Sequence, residues 1–213
     1  MTHLATVRDR IAASAKLARR SPTDIALIAV SKTRTVDQIE PLIAAGQRDF
    51  GESRVQEAAD KWPALRTAHP DIRLHMIGQL QSNKAADAVA LFDTIHSLDR
   101  PSLLDALSNA AVKASRFPTC FVQVNVGAEE QKGGIAPADL GGFLAAVRAS
   151  PLPLAGLMCI PPASHEPAPY FAFLIDLARR HDVTGLSMGM SADYEIAVQL
   201  GATHVRVGSA LFD

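Results

Sequence analysis

Short apolar segments alternate with helical patterns along almost the whole of this chain, and that alternation limits its fold more than any other feature. IALIAVS (25–31) comes first: continuous, partly β-branched and bounded by Pro22 and Lys32, it suits a strand buried on both faces. TVDQIEPLIAAG (35–46) follows, with apolar Val36, Ile39, Leu42 and Ile43 at helical spacing, Thr35 as N-cap and Gly46 as C-cap. Pro41 lies beyond its first turn, where a kink is expected. The further strands are DFGE (49–52), LHMIG (74–78), TIHSLD (94–99), TCFVQVNV (119–126), LAGLMCI (154–160), GLSMGM (185–190) and THVRVGS (203–209). Between them lie helical stretches at 55–67, 83–91, 101–114, 137–149, 169–181 and 191–202, the first with Pro63 expected to interrupt it. An amphipathic helix leads the chain, with Leu4, Val7, Ile11 and Leu17 as its apolar side.

Strands followed by helices pair in parallel, and eight of them in 213 residues predict an α/β fold: a single-domain (β/α)8 TIM barrel over 1–213 with an extra N-terminal helix. An open doubly wound sheet seldom needs so many parallel strands in so short a chain. Composition narrows the partners. With a net charge of −1 and no basic stripe, nucleic acid is a poor fit. Arg8, Asp9, Arg10 and Lys16 interrupt the stretch where a signal peptide would be apolar, and no apolar run approaches about 18 residues. Cys120 and Cys159 lie far apart without metal-ligand spacing, as expected of two reduced, buried thiols in a cytoplasmic protein.

In a barrel of this kind chemistry sits where strands run into their following loops. Lys32 ends strand one, where a partly dry mouth favours the neutral amine that Schiff-base chemistry requires; a solvated strand-end lysine is the plain alternative. The loops after strands seven and eight commonly hold phosphate. Here SMGMS (187–191) runs into a helix expected from Ala192, so Gly189, Met190 and Ser191 can offer backbone N–H groups to an anion, with Ser187 at the strand end. VGSA (207–210) adds Gly208, where backbone can approach closely, and the hydroxyl of Ser209. Arg206 shares the face of Gly208, and a guanidinium inside the mouth needs a partner: a ring nitrogen, a phosphate, or a carboxylate such as Glu52 or Asp99. Lys84 opposes the dipole of the helix it begins, which suits either an anionic ligand or a lysine reaching into water. His75 fits a satisfied core histidine, and the remaining histidines form no metal constellation.

These segments resemble the pyridoxal phosphate homeostasis protein family, single-domain relatives of the barrel of bacterial alanine racemase. AVSKTR (29–34), AGQRDFGESRVQEAADK (45–61), HMIGQLQSNK (75–84), GLMCIPP (156–162) and LSMGMSADYEIAVQLGATHVRVGSALF (186–212) carry the resemblance in the family's order. It implies that Lys32 forms the internal aldimine with pyridoxal 5′-phosphate (PLP). Ser187, Gly189, Met190, Ser191, Gly208 and Ser209 would hold the cofactor and its phosphate, Arg206 would face the pyridine nitrogen, and Asn83 would lie near the mouth. Ser53, His75, Lys84 and Met158 are further pocket candidates. Two departures stand out: Ser53 replaces an asparagine usual in the family, and the sequence ends at Asp213, where many members run on.

Racemisation benefits from a second base opposite the lysine, yet Tyr170 and Tyr194 fall on outer helices. An arginine at the pyridine nitrogen would leave the ring a weak electron sink. The expectation is therefore a non-enzymatic, monomeric carrier that exchanges PLP by transimination, with PLP-dependent apo-enzymes as recipients. The alternatives are a PLP-dependent racemase, a Schiff-base aldolase on the same barrel, or an interaction protein without cofactor.

Overall fold

The computed structural model describes residues 3–129 and 132–212; Asp213, where the sequence ends, lies outside them. Eight parallel strands close in sequence order into a barrel, β8 returning to pair with β1. The strands are β1 Ala26–Val30, β2 Asp49–Glu52, β3 Arg73–Met76, β4 Thr94–Leu98, β5 Thr119–Gln123, β6 Leu154–Met158, β7 Gly185–Ser187 and β8 His204–Val207. The helices are α1 His3–Leu17, α2 Val36–Ala44, α3 Val55–Ala68, α4 Ala85–Leu91, α5 Pro101–Ala114, α6 Leu140–Ala149, α7 Ala168–Arg180, α8 Tyr194–Leu200 and a short α9 Ser209–Phe212.

The continuous apolar strands are explained by this closure: one set of side chains meets the helices and the other fills the barrel. Leu27, Ala29, Phe50, Leu74, Ile95, Val122, Leu157 and Val205 join the helix-facing core with Ile39, Trp62, Leu107, Leu144, Leu174 and Val198. The inner set is far more polar, with His75, His96, Ser187 and Arg206 all buried. No helix among the described residues is long and apolar enough to cross a membrane.

Three local expectations need correction. Leu17 is 75% exposed, because the buried stripe of α1 continues from Leu4, Val7 and Ile11 to Ser14 and Ala15, and Leu17, two residues past Ala15, points away from that face. Pro63 does not interrupt α3, which runs through it to Ala68; the proline sits where tertiary packing of Trp62 and Leu65 outweighs the lost N–H. The helix after β7 begins at Tyr194 rather than Ala192, because residues 191–193 form a turn held by Asp193, whose Oδ1 accepts the N–H of Met190 at 2.6 Å.

Candidate functional site

At the C-terminal ends of the strands a cavity of about 730 Å³ opens, lined by Lys32, Arg34, Ser53, Gln123, Asn125, Lys132, Ser191, Arg206, Gly208 and Ser209 among others. Its ionisable lining among the described residues is wholly cationic: Lys32, Arg34, Lys132 and Arg206, with no carboxylate, histidine, tyrosine or cysteine. A concave site of that sign attracts and concentrates anions.

Lys32 follows β1 on a turn that is strained and clamped. Thr33 has φ of +63°, an uncommon conformation for a β-branched residue. Its N–H donates to Glu57 Oε1 at 2.5 Å and its hydroxyl to the carbonyl of Lys32 at 2.6 Å. Lys61 Nζ donates to the carbonyls of Ser31 and Arg34 at 2.9 and 3.2 Å, one on each side of Lys32. The Lys32 side chain itself is exposed and makes no hydrogen bond or ion pair to any described residue. The dry setting expected from the sequence is thus not provided by the chain's own packing. Asparagine tolerates positive φ, so Thr33→Asn is expected to stabilise the fold by about 1 kcal/mol. For a chain of this length that raises the melting temperature by roughly 2–4 °C; an unchanged or lower melting temperature would refute the strain.

Opposite, the junctions after β7 and β8 come together. Ser191 Oγ accepts the N–H groups of Gly208 and Ala210 at 3.1 and 3.5 Å, tying the two loops. The backbone N–H groups of Ser191, Ala192 and Ser209 have no partner among the described residues, and all three residues line the cavity. Gly189 serves the turn rather than the lining. Its φ is +92°, and a Cβ there would lie 2.5 Å from the Cβ of Ala197. Gly208 differs, since a Cβ would meet Val30 only at 3.4 Å, an ordinary contact. The fold's own packing does not require that glycine, which leaves the cavity side to account for it.

Arg206 is 4% exposed and still lines the cavity floor. Neither carboxylate named from the sequence meets it. Glu52 is taken by Lys61, Ser31 and Trp62, and Asp99 by Arg100. Instead Arg206 Nη1 donates to Ser187 Oγ at 2.6 Å and Nη2 to the carbonyl of Cys159 at 2.9 Å. Burial pulls its pKa below the usual guanidinium range.

Below it the barrel interior carries a run of hydrogen bonds. Ser187 Oγ lies 2.9 Å from His96 Nδ1, His96 Nε2 lies 3.0 Å from His75 Nδ1, and His75 Nε2 lies 3.0 Å from Asp49 Oδ1. Burial of Asp49 is outweighed by its bonds from His75 and Arg73, which hold the carboxyl down to about 2. Burial and neighbouring positive charge push His204 down to about 4, and His96 well below 6.5. An unfolded chain takes up protons on these rings below pH 6.5, whereas the folded protein does not until about pH 4 for His204 and likewise resists protonation of His96. Stability is therefore expected to be greatest above pH 6.5 and to fall as the pH drops towards 4. Urea midpoints measured at either end of that window check this, and equal midpoints would refute it.

Several residues proposed from the sequence do not line the cavity. Ser187, His75 and Met158 are buried in the barrel interior beneath it. Asn83 is exposed on the 3-10 turn before α4, and Lys84 is 3.7 Å from Asp87, the plain surface reading of that lysine. Gly189 supports the turn as described, and the N–H of Met190 is occupied by Asp193, although Met190 itself is a lining residue. Sequence reasoning missed Arg34, Gln79, Gln123, Asn125 and Lys132. Gln123 and Asn125 did carry a signal: two polar residues at a spacing of two within an otherwise apolar strand end, FVQVNV.

Residues 2–213 match the family described as alanine racemase, N-terminal domain. The pyridoxal phosphate homeostasis protein of Pseudomonas aeruginosa is 41% identical over 218 residues, covering 99% of this chain and 93% of that protein. The protein of the same name from Escherichia coli K12 is 38% identical over 220 residues, covering 99% and 94%. Among solved structures, PipY of Synechococcus elongatus with PLP bound superposes with a TM-score of 0.82 at 40% identity, covering 95% of this chain and 100% of that one. Alanine racemase from Corynebacterium glutamicum shares the fold, with a TM-score of 0.66 at 19% identity, this chain covering 60% of its length. Near-full-length identity of this order, on the same closed barrel, makes the chain a member of the pyridoxal phosphate homeostasis protein family.

Proposed function

We propose that this protein takes up PLP at the barrel mouth, holds it covalently at Lys32 and passes it on by amine exchange, without turning over an amino acid. The observation that carries the reading is a cavity whose ionisable lining among the described residues is cationic, with an amine at the end of β1 and N–H groups after β7 and β8 that meet no other described residue. The N–H groups of Ser191, Ala192 and Ser209, with the hydroxyls of Ser191 and Ser209, would hold the phosphate. Arg206 retains N–H groups beyond the two spent on Ser187 and Cys159, enough to face the ring nitrogen. Ser187 acts through Arg206, and Asn83 and Lys84 take no part. When bound, PLP would supply a carbonyl carbon to which the Lys32 amine can bond with loss of water, and a second amine would take the place of Lys32, which leaves as the free amine.

A donor arginine keeps a proton off the ring nitrogen, so a carbanion would gain little stabilisation. Among the described residues the racemase alternative also lacks a second base: Tyr170 and Tyr194 stand on α7 and α8, neither lines the cavity, and Lys132 is paired with Glu129 at 2.6 Å. In this reading PLP-dependent apo-enzymes receive the cofactor, and the protein works as a cytoplasmic monomer. Outside the cavity, its exposed large apolar side chains among the described residues, Leu17, Val36, Val112, Phe117 and Phe173, are scattered over four helices and a loop.

Borohydride reduction after incubation with PLP, followed by digestion and mass spectrometry, tests the reading. The adduct is expected on Lys32. An adduct confined to another lysine would overturn it, as would steady-state conversion of an amino acid that disappears in Lys32→Ala.

A further inference from the structure

The buried hydrogen-bond run beneath Arg206 joins four strands that are not all neighbours. His96 on β4 and Ser187 on β7 are separated by two strands around the closed barrel, so the bond between them crosses its interior. Such a polar crossing in the middle of a core is costly unless every member is satisfied. Proton counting gives one arrangement that satisfies all of them. Arg206 can only donate, so Ser187 Oγ accepts from it and turns its own proton to His96 Nδ1. His96 then carries its proton on Nε2 and donates to His75 Nδ1, and His75 donates from Nε2 to the Asp49 carboxylate. Both rings are neutral, each link carries one proton, and a cation at the top is joined to a carboxylate at the foot. Reversing the middle links would point the His96 proton at Ser187. The serine hydroxyl would then face two donors, and its own proton would lose its acceptor.

We infer that His96, with Ser187 above it and His75 below, is a positioning group for Arg206: the run fixes the lone pair on which the guanidinium sits, and so where its remaining N–H groups enter the cavity. The inference rests on the proposal that PLP binds there with its ring nitrogen towards Arg206. Geometry gives the run its leverage. No carboxylate forms an ion pair with Arg206 among the described residues, so its side-chain acceptor is the serine and its other anchor is the Cys159 carbonyl. His96 in turn stacks on Phe121, at 4.5 Å between centroids and 9° between planes, a ring contact that supplies none of the links.

Two measurements test this. In the cofactor-free protein, side-chain nitrogen NMR is expected to show His96 and His75 both as neutral Nε2–H tautomers. A proton on His96 Nδ1, or a charged His75 at neutral pH, overturns the run as described. In the second, ring-labelled [15N]PLP is added to wild type, His96→Phe, Ser187→Ala and Phe121→Leu. His96→Phe keeps a flat ring against Phe121 but removes both nitrogens, while Ser187→Ala is the milder cut should the first variant fold poorly. In both, the ring-nitrogen resonance is expected to move towards the protonated position, with PLP affinity lower by on the order of tenfold, the worth of one hydrogen bond to a charged group. Phe121→Leu disturbs the same layer without touching a link and is expected to leave the resonance in place. The inference falls if the resonance in the two cut variants coincides with wild type, or if Phe121→Leu shifts it as far. Wild-type protein that takes up no PLP overturns the reading of the site, and with it the role given to Arg206, whatever the tautomers show.

Discussion

Lys32→Ala is expected to yield a folded barrel that no longer retains PLP through borohydride reduction and gel filtration. The two halves of that expectation have separate causes. The Lys32 side chain is exposed and bonded to no described residue, so its loss should change stability by no more than about 0.5 kcal/mol. Retention, by contrast, depends on a bond formed within a cavity that already holds the anion, where a well-placed amine acts at a high effective molarity. Without it the phosphate contacts around Ser191 and Ser209 remain, and binding should become non-covalent and weaker by at least about 100-fold, or roughly 2.7 kcal/mol. Titration by absorbance, together with a thermal melt of the same samples, separates these terms. Wild-type retention in a variant that melts normally would remove Lys32 from the site, and a variant that fails to fold would show that the lysine is structural.

How much of this could be read from the chain follows from how far apart the cooperating residues lie. Lys32, Ser191, Gly208 and Ser209 were legible because a barrel sends every strand end to one pole, so knowing the topology is enough to gather them. The run from Asp49 to Arg206 was not. His75 reads as a core histidine and Ser187 as a strand-end group for the cofactor until strand register sets them at successive heights, Asp49 level with Arg73, His75 with Thr94 and Ser187 with His204. The sequence alone leaves the partner of Arg206 open between a ligand and Glu52 or Asp99, and both carboxylates are occupied by cations closer in sequence. Pro63 and Leu17 misled for a simpler reason: local rules give way to packing, which periodicity alone does not weigh.

The clamp beneath the Lys32 turn gives the largest expected effect on stability. Glu52 is fully buried, and its Oε1 receives Lys61 Nζ at 2.8 Å, Ser31 Oγ at 2.8 Å and Trp62 Nε1 at 2.9 Å. Its other oxygen, Oε2, has no partner among the described residues. Lys61 is the buried cation that balances it, and the same Nζ bonds the carbonyls of Ser31 and Arg34. Lys61→Met fills much of the space but leaves the carboxylate uncompensated, which should cost about 3–5 kcal/mol. For a domain of this size that lowers the melting temperature by roughly 6–20 °C. Adding Glu52→Gln removes the stranded charge and should recover at least half of the loss, because replacing both members of a buried pair is far milder than removing one. The carbonyls of Ser31 and Arg34 stay without their donor in the double variant, so the turn that aims Lys32 should remain loose. Thermal stability should therefore return while the rate of PLP capture stays below wild type. A double variant no more stable than Lys61→Met would show that the lysine acts through its carbonyl bonds alone, and capture at the wild-type rate would show that the clamp does not aim the amine.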